Sequence, residues 1–579
     1  MRIFYFEVKN FRGLDIKIDS IDKIATIIGQ NDSGKSNICY AIMRTLDYEK
    51  RRVPLLESDS TNNNREKIFI KIGLDLSDLN NEQLAVVHDV IYKDKDRKYT
   101  YVQLDATYND DILAYEDEIT IGDASIDSKT YSPTRQNPID KILSIIYINP
   151  TYDTKQETKR FFEHAENKNK ESSKRLSKEF EKSIKELNIN IQNEEALADI
   201  MKDINDLGKF EDIFDGLSFQ LSPNMKIDNV YKSLEINPID DKGNIVSNIG
   251  DGKNKIFSML LKEKTYDDEK RKIFIVEEPE NHLYVLLQKY YIDSLLSFEP
   301  DQMLITTHSP HVVDFEKTNQ IIKIKRDYDE ETKVYFRKVY CYNVNNSDFK
   351  RFGYLINVEI AEMMYYDKVL LIEGVSEKYF YSTLMANDEN FRTHIFKNRI
   401  GIFCVNGIAF RETKELLEGL SIKVFIKTDN DIFSVRKHKD TKYYAGLTRA
   451  IGYLNDESKK EIMSVLKFSD LQTKNFWFQN DNRLEIIENN LSNILEIFKR
   501  NNIYLQMHND GFEKDFLDFI GYCKKDYDEV INYLKEAKLI NLHLFINDEK
   551  IKLLIDDNNK NNILVSFLYD WRNIEKRIR

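Results

Sequence analysis

Cysteine is scarce and dispersed in this chain. Its 579 residues include four, Cys39, Cys341, Cys404 and Cys523, with none of the paired spacing that a disulfide framework or a structural zinc site requires. Long apolar runs are also missing. No stretch reaches the roughly 20 residues of a membrane span, and the N-terminus opens into an amphipathic strand pattern instead of a signal peptide. The expectation is a cytoplasmic protein with no membrane attachment. Basic excess is absent too, since 85 Lys and Arg stand against 98 Asp and Glu, a formal charge of −13. This does not exclude nucleic acid, because DNA binding needs only a local basic surface or bound cations, whereas global charge governs solubility.

The patterned segments fall into blocks, and the length predicts two or three domains. "RIFYFEVKNFRGLDIKIDS" alternates like a hairpin, and Ile24–Ile28 then reads as a strand leading through a Gly-rich turn into a helix. "EKIFIKIGLDLS" and "KYTYVQLDATY" add further β patterns. From Thr154 the texture becomes helical and charged, without Pro or Gly until Gly208, while Phe161, Phe162, Leu176, Phe180, Ile184 and Leu187 recur at helical spacing. Such a run is either a set of solvated helix faces or a self-association arm. β patterning returns afterwards, so the insert interrupts one domain. A second α/β alternation, "KVLLIEG", "RIGIFCVNG" and "IKVFIKTDND", begins past Ser347, and the remainder is mostly helical. The expected divisions are 1–153 and 216–346 for the first domain, 154–215 for the insert, and 347–579 for the second domain with its helical additions. The fold class is α/β.

"GQNDSGKS" satisfies G-x-x-x-x-G-K-[ST] in the required context, a strand before and a helix after. Its glycines let backbone N–H groups face phosphate oxygens, Lys35 reaches the outer phosphates, and Ser36 can ligate Mg²⁺. Gly29, Asn31, Gly34, Lys35, Ser36 and Asn37 are the candidate ATP-binding residues. The strand "IFIVEEPE" ends on Glu277 and Glu278, and "LITTHSP" ends on His308. This order of loop, paired acids and histidine resembles ATPases of the ABC, SMC and RecF type. The resemblance implies that Glu277 orients Mg²⁺, Glu278 activates the attacking water and His308 senses the terminal phosphate. Asp is usual at the first acid, and Glu277 departs from it. "SNIGDGKNKIFSMLL", from Ser247 to Leu261, is either the segment by which these ATPases close on a second subunit's nucleotide or a plain helix start.

A second acidic set has no packing use. Glu373 ends "VLLIEG", Asp429 and Asp431 end "IKVFIKTDND", and parallel strands expose their C-terminal ends at one sheet edge. Three carboxylates there repel one another unless a cation such as Mg²⁺ or Mn²⁺ neutralises them. An E-G motif followed by D-x-D resembles the TOPRIM domain of topoisomerases, primases and nucleases of the overcoming-lysogenization-defect (OLD) family, with "EGVSEKYFY" adding Glu377 as a ligand candidate. The OLD resemblance also implies a second metal position drawn from Asp510, Glu513 or Asp515, and a charge-stabilising lysine, Lys538 or its neighbour Lys535. "VRKHKDTK", Val435 to Lys442, is either a solvated loop or a contact to the DNA backbone.

An ABC/SMC-type ATPase domain followed by a TOPRIM domain is the OLD architecture, and the length and insert resemble the nuclease subunit of Gabija anti-phage defence. The resemblance implies a nucleotide-regulated, metal-dependent endonuclease acting on duplex DNA. It also implies a homo-oligomer, dimer or tetramer, with a helicase-like partner. The alternatives are a RecF- or SMC-like clamp that does not cut, which has no use for the second acidic set, and a TOPRIM topoisomerase, which needs a nucleophilic tyrosine in a separate domain.

Overall fold

The computed structural model describes residues 1–94, 97–123, 125–150, 250–265, 269–329, 334–344, 357–405, 410–430, 432–435, 438–472, 476–478, 482–506 and 511–565, with 157–160 and isolated residues up to 186. The expected arm at 154–215 and the β patterns after it therefore lie outside the described residues, apart from those few. Contacts divide the chain into two units. One comprises Met1–Phe4, Cys39–Glu57 and Arg65–Thr306, the other Tyr5–Ile38, Ser58–Asn64 and Thr307–Arg579.

The first unit holds an antiparallel meander, Ile68–Asp75, Arg97–Asn109, Ala114–Asp123 and Asp127–Tyr131. Alternate residues of its second strand are buried, the period-2 signature of a sheet with one covered face. Beside these segments in sequence runs a parallel trio, with Arg271–Glu277 paired to Leu143–Ile148 on one side and to Gln302–Thr307 on the other. Ile273–Val276 are all buried, as a strand covered on both faces requires.

In the second unit Ile24–Gly29 pairs in parallel with Gln320–Asp329, which pairs antiparallel with Val334–Asn343. A separate four-stranded parallel sheet runs in the order Ile400–Cys404, Lys368–Ile372, Lys423–Asp429, Ile503–Gln506. Sequence patterning anticipates three of these strands. The fourth, only four residues long and set among helices, carries too short a pattern to separate from them.

Side-chain alternation gives this sheet two cores. Val369, Leu371, Val424 and Ile426 point into one, which also takes in Ile28 of the phosphate-loop strand and Met363, Leu416 and Phe498. Leu370, Ile372 and Phe425 point into the other, with Phe380, Tyr381, Phe516 and Phe545. Because all four strands are parallel, their C-terminal ends gather at one edge, and helix Val375–Asn387 leaves from that edge. Within the run Val435–Lys442, Val435 and His438–Lys442 lie in strands: Ile432–Val435 and His438–Tyr444 form an antiparallel ladder.

Phe380 anchors the second core, with edge-on rings at 6.0 Å to Phe512, 6.2 Å to Phe516 and 5.2 Å to Phe519. Phe380→Ala should cost about 3–5 kcal/mol through lost burial and the residual cavity, read as a shifted urea transition.

Candidate functional site

Gly34 adopts φ +105°, and a Cβ there would press on Leu14 and Arg337, so glycine alone fits the turn. Lys35 begins helix Lys35–Leu46 and folds back over the loop, donating to the carbonyls of Gly29 at 3.1 Å and Gln30 at 3.0 Å. Asn37 donates to the Arg12 carbonyl at 2.7 Å, while Asn31 is exposed and Ser36 half-buried. The loop is braced from a distant strand by Arg337, which donates to the carbonyls of Ser33 at 2.8 Å and of Gly13. No local motif marks Arg337.

The paired acids lie in the first unit. Glu277 is the buried last residue of its strand, and its carboxylate accepts the hydroxyl of Tyr147. Burial and then that carboxylate hold the Tyr147 hydroxyl protonated far above its ordinary range. Glu278 sits in the left-handed region at φ +43° and accepts from Asn281 Nδ2 at 2.9 Å. Lys255 donates to the carbonyls of Glu278, Pro279 and Asn281 at 3.2, 3.1 and 3.0 Å. Burial pushes its ammonium down to about 8, against the opposing pull of Glu280 and Glu278. Lys255 belongs to helix Asp251–Thr265, which starts after Gly250, as both readings of the Ser247–Leu261 segment require. His308 follows Gln302–Thr307 and is half-buried.

At the parallel-sheet edge, Glu373 Oε2 accepts from Thr428 Oγ1 at 2.9 Å and from the Asp429 N–H at 3.2 Å, while Oε1 meets Arg449 at 3.2 Å. Glu377 is a helix-capping residue in this arrangement. Its Oε2 accepts the N–H groups of Glu373 and Gly374, both at 2.9 Å, and its Oε1 meets Lys427 at 2.6 Å. Both of its oxygens are thus engaged, as both oxygens of Glu373 are. Lys427 also lies 3.3 Å from Asp429 Oδ1. Burial alone would lower the Lys427 ammonium's pKa, but attraction by Asp429, Glu377 and Asp515 outweighs it and holds the proton well above the ordinary value.

Asp429 and Glu513 converge. A Cβ on Gly511, at φ +61°, would stand 3.2 Å from Asp429 Oδ2 and 3.4 Å from Glu513 Oε2, so both carboxylates lie against this glycine. Burial raises the Glu513 carboxyl's pKa; Asp429 raises it further, while Lys538 and, more weakly, Lys535 pull it down. Lys538 is exposed at the start of helix Lys538–Asp548, and Lys535 is half-buried. Asp515 is buried. Asp431 and Asp510 lie outside the described residues, and among the described residues no three His, Cys, Asp or Glu side chains form a ready metal-holding group. An all-oxygen pair of carboxylates, next to two cations that already offset the acids, is the donor chemistry that suits a hard divalent ion.

Residues 1–313 match the family described as AAA ATPase domain, more than half of the chain. The chain belongs to the AAA ATPase domain family. Residues 364–431 match the overcoming-lysogenization-defect-protein-like TOPRIM domain, so an ATPase domain is followed by an OLD-like TOPRIM domain, the pairing expected from the motifs. The Endonuclease GajA of Bacillus cereus (strain VD045) is 26% identical over 585 residues, covering 96% of this chain and 97% of that one. Among solved structures, an Smc head bound to the C-terminal winged-helix domain of ScpA aligns at 15% identity and TM-score 0.32, over 60% of this chain and 99% of that one. The SMC head domain from Thermotoga maritima aligns at 12% identity and TM-score 0.27, over 58% and 98%. The recombination mediator RecF with ATP aligns at 13% identity and TM-score 0.31, over 58% and 97%.

Replacing Lys427 by methionine leaves the buried Glu377 and the adjacent Asp429 uncompensated. Lys427→Met should destabilise the second unit by about 3–5 kcal/mol in the absence of metal, measured as a lowered denaturation midpoint in EDTA.

Proposed function

We propose that this chain is a nucleotide-regulated DNA endonuclease of the OLD type, dependent on Mg²⁺ or Mn²⁺ and acting in anti-phage defence. The observation that carries the reading is the approach of the Asp429 and Glu513 carboxylates to Gly511, beside Glu373 at the C-terminal edge of a parallel sheet. The likeness to Endonuclease GajA over nearly the full length of both chains supports it. Asp429, Glu513 and Glu373 would hold the ion, with Asp431 and Asp510 as further candidates. Bound there, a divalent ion supplies water activation and charge neutralisation at a phosphodiester.

The chain's own residues divide the remaining work. Glu377 holds the backbone N–H groups of Glu373 and Gly374, Lys427 holds the Asp429 carboxylate, and Lys538 presents an ammonium near Glu513 where charge builds on the cleaved phosphate. In the ATPase domain Lys35, Ser36 and the loop N–H groups hold the phosphates of ATP, with Asn31 and Asn37 beside them. Glu277, Glu278 and His308 act at the nucleotide's terminal phosphate. The substrate is duplex DNA. A cytoplasmic homo-oligomer, dimer or tetramer, working with a helicase-like partner, completes the proposal.

Glu373→Ala and Asp429→Ala should each abolish nicking of supercoiled plasmid at saturating Mg²⁺ or Mn²⁺ while leaving ATP affinity near wild type. Wild-type nicking by either variant would move the reaction elsewhere. Lys35→Ala should weaken ATP binding by calorimetry, because the phosphates lose their mobile cationic donor.

A further inference from the structure

Arg449 was not visible as a site residue in the sequence, yet the structure gives it two bonds at the acidic edge. Its guanidinium lies 3.2 Å from Glu373 Oε1 and 3.3 Å from the carbonyl of Asp429. Its helix, Ala445–Gly452, is seated against the D-x-D backbone by two devices. Asn430, the middle residue of that motif, accepts the Leu447 N–H at 3.0 Å, and Gly446 comes so close that a Cβ would run into the carbonyl oxygen of Asp429. The base of Arg449 is therefore fixed, while its side chain is 31% exposed and long enough to turn.

A divalent ion approaching Glu373 Oε1 meets a positive charge already in place, and the two cannot share one carboxylate oxygen at 3 Å without strong repulsion. We propose that Arg449 is the internal counter-cation of Glu373, displaced by the divalent ion and then turned toward a phosphate of the bound duplex. Its planar fork suits that second partner, since guanidinium and phosphate pair through two parallel hydrogen bonds. The inference rests on the metal reading proposed above.

The test is calorimetric titration of Mn²⁺ into the metal-free full-length protein, without DNA, followed by duplex DNA binding in Ca²⁺. Arg449→Met and the milder Arg449→Gln should each bind Mn²⁺ at least about threefold more tightly than wild type, while Arg449→Lys stays near wild type. Both neutral variants should bind duplex at least about threefold more weakly, with Arg449→Lys in between because it lacks the fork. Mn²⁺ affinity in both neutral variants equal to or below wild type overturns the displacement. Unchanged duplex affinity overturns the phosphate role. If neither wild type nor variants take up Mn²⁺, the metal reading itself fails, a result distinct from the other two.

Discussion

A single buried ammonium holds the acidic edge together. Lys427 is buried directly after the apolar run Val424–Ile426 of its strand, where a charge has no place without partners. It finds them in Glu377 at 2.6 Å and Asp429 at 3.3 Å. Glu377 in turn caps the first turn of helix Val375–Asn387 and holds the N–H groups of Glu373 and Gly374. The strand end, the helix start and the two acidic motifs are thereby one hydrogen-bonded assembly. Such an assembly keeps carboxylates close at a cost in repulsion that an apolar core would never generate, and cations offset it.

The same unit ties this edge to the phosphate loop. Ile28, one residue before Gly29, shares an apolar core with Val369, Leu371 and Ile426, the residues directly behind Glu373 and Asp429. Lys323, on the strand paired with Ile24–Gly29, donates to the Tyr366 carbonyl at 3.1 Å just ahead of Lys368–Ile372. A close-packed interior transmits displacement, so the strand that carries the nucleotide loop and the sheet that carries the acids have a direct mechanical connection.

Legibility followed locality. The phosphate loop, the strands ending in Glu277, Glu373 and Asp429, and the two-domain α/β order all depend on neighbours in sequence, and each reads from a few adjacent residues. Lys427, Arg449, Arg337, Tyr147 and Lys255 depend on partners many residues away, and no spacing rule points to them. Glu377 shows the converse: its motif is plain, but only the geometry reveals that both its oxygens serve the backbone and Lys427. Glu513 is singled out by the left-handed Gly511 two residues before it, a conformation invisible in "NDGFEKD". The short strand Ile503–Gln506 was hidden for a different reason, its four residues being too few for a period to emerge among helices.

Asp429, Glu513 and Glu373 are the carboxylates proposed to hold the divalent ion. Anomalous diffraction from crystals of the full chain soaked in Mn²⁺ tests this assignment directly. The expected result is a Mn²⁺ peak bonded to a carboxylate oxygen of Asp429 and to at least one of Glu513 and Glu373. Peaks confined to other carboxylates, with Asp429 Oδ1 still against Lys427, would contradict that assignment.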